Sequence, residues 1–535
     1  MTSQAWKEFP PPLSDEQLEI LVANIKDWQL THGSLLKLVS SDEDSTVLAQ
    51  PVGACLFPTL FPRQLFEQAL DLQKTYDKLY ARVAEDEEWL YSTLKGLIET
   101  YDLARVLWGI HQEVEREGYV QDVVLGIFRS DYMLDANTES VSTSEEILLK
   151  QVEFNTISCA GGVHSNLVAD MHRRLQRSGA YLPSDPNLET INISSSSLPP
   201  SHTLSTLTTG LVAAHNLYGP PKSPNANQTC ILFIVQPRNF NIADERPIEY
   251  ALWDQDIPAY RVIFAEEVLA HTSLSPGREL LYHPPSRAGP MEVSVVYFRA
   301  AFEADEFDDN GRKARLLLER SRAIKCPSIL SHLTTFKKVQ QALALPGGLR
   351  RFLTEDEAVR IASTFAPIYP MDESEIGMAA RKLALSSISS KSYILKPSLE
   401  GGGHNIYGED IPRFLSRTPK NKWSNYILME KITSPAIHNL SMSPRGFYRG
   451  PVVSELGIFG ICLWKRDENT EGRVEITQDL NPCWSFKTKS ASVNEMSVVK
   501  GYGCFDSPAL VDQSIFSACC LGTVKAVEHS GRRSL

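Results

Sequence analysis

The stretch Tyr393-Ile394-Leu395-Lys396-Pro397-Ser398-Leu399-Glu400-Gly401-Gly402-Gly403-His404-Asn405-Ile406-Tyr407-Gly408 runs from an apolar strand into a glycine loop. The strand delivers Lys396, Pro397 ends the ladder, and Glu400 stands directly before Gly401, Gly402 and Gly403. Without Cβ atoms, glycine N–H groups can approach a phosphate closely. A lysine supplies a point charge for that phosphate. A carboxylate is a hard oxygen ligand, suited to the Mg²⁺ that accompanies ATP. A glycine run alone also describes a flexible surface turn. The flanking Lys396 and Glu400 favour a nucleotide-phosphate site.

Outward from this loop, 535 residues exceed one simple core and predict two or three domains or lobes. Apolar content of 42% and charged content of 22% are those of an ordinary globular protein. The net charge of −12 comes without a basic stripe, which argues against nucleic acid and anionic membranes as partners. An anionic substrate would need local positive charge against this background. The nine cysteines are scattered and include no Cys-x-x-Cys, so reduced thiols in the cytoplasm are expected rather than a disulfide framework. No signal-peptide core precedes Pro10 to Pro12, and no apolar run reaches the roughly 20 residues of a membrane helix.

Residues 13 to about 118 are expected to be helical. Leu65, Phe66, Ala69, Leu72, Tyr76, Leu79, Tyr80 and Val83 recur at helical spacing, as in a bundle core. Val123 to Phe128 reads as a buried strand that ends in Arg129-Ser130-Asp131-Tyr132, and Gln151 to Thr156 as a second strand with a polar tip. A helix is expected from about Val163 to Ser178, with Gly179 at its C′ position. Past the linker-like 222–228, the apolar runs Cys230 to Val235, Arg261 to Phe264 and Val293 to Phe298 alternate with helical segments, predicting an inserted α/β module.

Glu153 and Asn155 lie two apart on a strand, hence on one face, where they could share a cation with Glu400. Arg129 could hold a carboxylate or a developing oxyanion. The plainer readings are an exposed polar strand end and a surface Arg–Asp pair worth little.

Taken together these segments resemble the eukaryotic glutathione synthetase family. The matching stretches are Phe128-Arg129-Ser130-Asp131-Tyr132-Met133, Gln151 to Ser158, Val295 to Arg299, Glu319-Arg320-Ser321 through Lys325-Cys326-Pro327, Lys396 to Gly408, Leu428 to Ile432 and Ser454 to Ile458. The resemblance implies an α/β fold: an ATP-grasp core with an N-terminal helical region and an inserted substrate-binding domain. Its parts would be 1–221 (helical region and first part of the core), 222–327 (inserted domain), 328–510 (core with glycine loop and lid) and 511–535 (an atypical tail). It implies a cytoplasmic homodimer that ligates γ-glutamylcysteine to glycine through an acyl phosphate, with ATP and Mg²⁺ as cofactors.

Carried over by motif, Glu153, Asn155 and Glu400 would bind Mg²⁺, and Lys325 and Lys396 would hold phosphates. Gly401 to Gly403, Asn405, Tyr407, the Met429-Glu430-Lys431-Ile432 segment, Glu455, Lys489 and Glu495 would complete the nucleotide pocket. Arg129 would be catalytic and would face the peptide substrate with Ser158, Arg238, Asn239, Glu245, Arg299 and Phe302. Lys487, Val498 and Val499 would join them from the lid. Leu399 stands where the family has an arginine, Glu245 where it has a glutamine, Phe302 where it has a tyrosine and Lys487 where it has an arginine. Met496 and Ser497 replace two lid glycines, which predicts strained closure and a weaker, partly uncoupled enzyme. Two alternatives follow: an impaired homologue that binds nucleotide or dimerises without turnover, or an ATP-grasp ligase with another amine acceptor.

Overall fold

A computed structural model describes residues 8–38, 48–136, 147–287, 289–398, 404–466, 474–498 and 501–520. Glu400, Gly401, Gly402, Gly403 and Val499 lie outside the described residues.

Two long strands form the spine. Val123–Ala136 pairs antiparallel with the 21-residue Gly446–Arg466, from Lys465↔Val123 to Glu455↔Met133. Arg129 and Asp131 are therefore mid-strand, and the expected strand end after Phe128 is corrected. Two neighbouring strands satisfy the backbone here, and the two side chains, on one face two residues apart, neutralise each other. Ile147–Asn155 pairs antiparallel with the same strand, placing Arg129 opposite Asn155 and Asp131 opposite Glu153. An irregularity between Asp131 and Tyr132 leaves Val152 as the extra residue of a bulge.

The expected parallel module is present. Ala259–Ile263, Thr229–Val235, Met291–Phe298 and Ile324–Cys326 run parallel, and the last pairs with the spine at Lys325↔Val124. The module thus continues the central sheet instead of forming a separate one. A second, antiparallel sheet has the order Ile368–Pro370, Tyr426–Glu430, Tyr393–Pro397, Ile406–Tyr407. Leu395 and Leu428 pack inward against Ile411 and Leu415. Period two turns Ile394 and Lys396 to the opposite face.

The apolar stripe from Leu65 to Val83 is buried along the helix Arg63–Ala84. The first helix, Asp15–His32, starts at a Ser14/Gln17 capping box. The region expected to be wholly helical also contains short strands at Leu35–Leu38, Leu48–Pro51, Ala54–Cys55 and Thr59–Pro62. Pro508–Val511 pairs with Thr59–Pro62, and Phe516 is buried, so the start of the atypical tail packs into the core. The described cysteines form no disulfide, and no described helix is long and apolar enough to cross a membrane.

Candidate active site

Between the two sheets lies a cavity of about 380 Å³. Lys396 enters it from the small sheet, and its Nζ donates to the carbonyl of the bulged Val152 at 2.9 Å. Burial lowers the Lys396 pKa to about 8, with Glu153 opposing the shift. Glu153 sits 3.4 Å from Lys337 Nζ. Burial would raise its pKa, but Lys337, Lys396, Arg129 and Lys487 together hold it far below the ordinary carboxylate range. Glu153 is thus an anion in a nest of cations across neutral pH.

From the spine, Arg129 grips Asp131 with two bonds of 2.7 Å and donates through Nη1 to the Ala160 carbonyl at 2.9 Å. Asp131 is fully buried, and burial raises its pKa despite Arg129 and Lys487. Asn155 donates to Asp131 at 3.0 Å and lies 3.5 Å from Glu153. Glu455 and Lys487 are direct cross-strand partners, 2.6 Å apart. Lys489, two residues on, donates to the Val493 and Asn494 carbonyls. Tyr407 donates to Glu495 at 2.9 Å. The lid segment is therefore held against the cavity from two sides.

Among the described residues, five basic side chains (Arg129, Lys396, Lys431, Lys487, Lys489) and four carboxylates (Glu153, Glu430, Glu455, Glu495) line the cavity. With Lys337 behind Glu153, this supplies the local positive charge that an acidic chain needs to hold a polyanion. Val152, Ile394, Met429, Ile432 and Val453 make the remaining wall apolar, as a flat heterocycle requires. Asn405 completes the polar rim.

A second group lies where the parallel module meets the spine. Ser158 has φ +50°, and the loop it begins hangs between two arginines. Arg129 holds the Ala160 carbonyl, and the buried Arg299 holds the Cys159 carbonyl at 2.7 Å. Glu245 accepts from Asn239 at 2.6 Å, from Arg261, and from Arg299 at 3.4 Å. Glu249 and Asp244 also pair with Arg261 and Arg299, at 2.8 and 3.5 Å, so the acid at 245 belongs to a network of buried charges in which Arg261 is its close partner. Phe302 packs at the edge of the module's core.

Other expected residues fall elsewhere. Arg238 is exposed. Val498 is buried in the main core. Lys325 does not line the cavity; it is buried and donates to the Ser321 carbonyl at 2.9 Å. Lys337 was not anticipated. Lys337 and Lys338 open the helix Lys337–Leu343, where the positive end of the helix dipole disfavours cations. That misfit was a legible signal: Glu153 and Asp372 answer the two charges, each at 3.4 Å.

The backbone strain expected at 496 and 497 is absent from the described lid residues. Neither Met496 nor Ser497 has positive φ; among the described residues of this segment the positive-φ positions are Gly501 (φ +78°) and Gly503 (φ +135°). Ser497 and Tyr502 exchange two backbone hydrogen bonds of 2.8 Å, and Met496 Sδ sits 2.8 Å from where a Cβ on residue 503 would lie. Restoring glycine at 496 and 497 would remove this packing and cost roughly 0.5–1 kcal/mol per position in chain entropy. The double variant Met496→Gly/Ser497→Gly is expected to turn over no faster than the parent, with a raised KM for nucleotide. A higher kcat in steady-state assays would restore the strained-lid reading.

The chain is similar along most of its length to known proteins of one family. The model of the eukaryotic glutathione synthase ATP binding domain matches residues 15–510. The glutathione synthetase large chain of Schizosaccharomyces pombe is 33% identical over 511 residues, covering 92% of this chain and 97% of its own. The Homo sapiens glutathione synthetase is 33% identical over 504 residues, with 92% and 97% covered. That of Dictyostelium discoideum is 31% identical over 506 residues, with 93% and 100% covered. Among solved structures, a glutathione synthetase like-effector from Globodera pallida in apoform superposes with a TM-score of 0.69 at 23% identity. The match covers 93% of this chain and 98% of that one, and carries the fold alone.

Proposed function

This chain belongs to the eukaryotic glutathione synthase family and is an ATP-dependent ligase, and from that premise we propose that it joins γ-glutamylcysteine to glycine in the cavity between its two sheets, on an ATP-grasp core. The observation that carries this reading is the pairing of an ionised, cation-ringed Glu153 with Lys396, Lys487 and Lys489 beside an apolar slot.

A carboxylate is a poor acyl donor. Phosphorylating it creates a leaving group that the glycine amine displaces, so the ligase needs positioning and charge neutralisation rather than a side-chain nucleophile. The apolar wall would receive the adenine, and Lys396 and Lys489 the phosphate oxygens. Arg129 would steady the reacting carboxylate. Glu245, Asn239, Arg299 and Ser158 would anchor the peptide. Glu153 and Asn155, with Glu400 carried over by motif, would hold Mg²⁺, and hard oxygens on a phosphate-facing wall fit that ion. When bound, Mg²⁺ neutralises charge on the phosphates. A cytoplasmic homodimer and the division into 1–221, 222–327, 328–510 and 511–535 belong to the same proposal. ADP release with γ-glutamylcysteine, with and without glycine, tests it. Glycine-dependent ADP and tripeptide in equal amounts are expected; ADP release indifferent to glycine, or none, would overturn it.

The low pKa of Lys396 gives a pH prediction. In the ligand-free protein Lys396 loses its proton as the pH rises through about 8, well below an ordinary lysine. Phosphate binding favours the charged form, so above pH 8 ATP must bind with proton uptake and its affinity should fall. Calorimetric ATP titrations in buffers of different ionisation enthalpy measure the uptake. Proton uptake in Lys396→Met matching that of the wild type would reassign the group.

A further inference from the structure

We infer that Glu87, His111 and Glu115 form a second metal site, for a borderline divalent cation of the zinc class, remote from the nucleotide cavity. His111 and Glu115 are one turn apart on the helix Asp102–Glu117, so both project from one face toward Glu87, the first residue of the helix Glu87–Thr100. The imidazole is 1% exposed, and its Nε2 is turned toward the two carboxylates. That nitrogen points between Glu87 Oε1 at 3.1 Å and Glu115 Oε2 at 4.0 Å. Two ligands of one tetrahedral zinc ion, each about 2.1 Å from it, lie about 3.4 Å apart. Small rotations of the two partly exposed carboxylates meet that spacing.

Two further observations favour a cation over an ordinary ion pair. An imidazole needs only one carboxylate partner, yet here an oxygen of Glu87, an oxygen of Glu115 and a ring nitrogen of His111 all lie within 4.8 Å of one another. Two adjoining carboxylates repel unless a proton or a metal ion lies between them. On the far side of the ring, Nδ1 is 2.8 Å from Tyr119 Oη. Metal-bound histidines use such an outer partner to fix tautomer and ring orientation. Arg466 stacks over the Tyr119 ring at 4.3 Å and holds it in place. One nitrogen and two carboxylates suit Zn²⁺ or Co²⁺ better than Mg²⁺. The ion would clamp the two-helix hairpin, whose other end meets the small sheet where Thr100 donates to Asn425 at 2.6 Å.

The test uses the full chain, stripped with chelator and kept in excess Mg²⁺, titrated with Co²⁺. A saturable visible absorption of tetrahedral cobalt, displaced by Zn²⁺, is expected, together with a raised Tm. Glu87→Gln and Glu115→Gln leave the buried histidine in place. Each should weaken cobalt binding roughly tenfold or more and leave Mg-ATP turnover unchanged. Three results would overturn the site: no visible band, a thiolate charge-transfer band with binding undiminished in both variants, or a Glu115→Gln protein stabilised without metal and showing no metal effect in the wild type. The last would assign the trio to proton sharing.

Discussion

Replacing Glu153 by glutamine is expected to lower kcat by roughly 10²-fold or more, the scale seen when charge stabilisation at a reacting centre is lost, while the protein stays folded. Glutamine keeps the shape and can still meet Asn155. What disappears is the negative charge that Lys337, Lys396, Arg129 and Lys487 surround. Without it the cations repel one another, and the oxygen ligand on that wall becomes a neutral amide with little affinity for Mg²⁺. Nucleotide binding should survive, because a polyanion can satisfy the same cations. The split is diagnostic: ATP affinity kept or tightened, turnover lost, and partial recovery at high Mg²⁺ concentration. Wild-type turnover at ordinary Mg²⁺ would remove Glu153 from the metal site. Glu400→Ala should behave alike, on its motif position before the glycines.

Much of this site was legible because its chemistry is local in sequence. Strand period two put Glu153 and Asn155 on one face, and they lie together beside Asp131. Lys396, Asn405 and Tyr407 lie close together in sequence and line one cavity. The residues that were misread depend on partners far along the chain. Arg129 and Asp131 looked like a polar strand end because nothing near them reveals the 21-residue strand that pairs alongside. Glu245 looked like a lost glutamine until Arg261, sixteen residues on, was found beside it. The lid looked strained because two glycines were missing, whereas among its described residues the positions with positive φ are Gly501 and Gly503. Lys337 reaches Glu153 from 184 positions away in sequence, and only its unfavourable helix-start location hinted at a partner.

Arg129 carries the other large effect, and its geometry complicates the obvious mutation. A guanidinium has five N–H donors. Two go to Asp131 and one to Ala160, leaving two for the cavity it lines. Arg129→Ala should lower kcat by roughly 10²-fold or more if those two donors meet charge that develops on the reacting carboxylate. If they only anchor substrate, KM rises and kcat holds. The same change, however, strands Asp131, which is 1% exposed. Removing one partner of a buried ion pair typically costs about 3–5 kcal/mol. A lost activity could then reflect a damaged fold. The double variant Arg129→Ala/Asp131→Asn separates the two causes, because a neutral amide no longer needs the guanidinium. It should regain much of the lost Tm yet stay as slow as the single variant. Turnover restored along with stability would make Arg129 a structural partner of Asp131, and the reacting carboxylate would have to find its stabilising charge at Lys487 or Lys489.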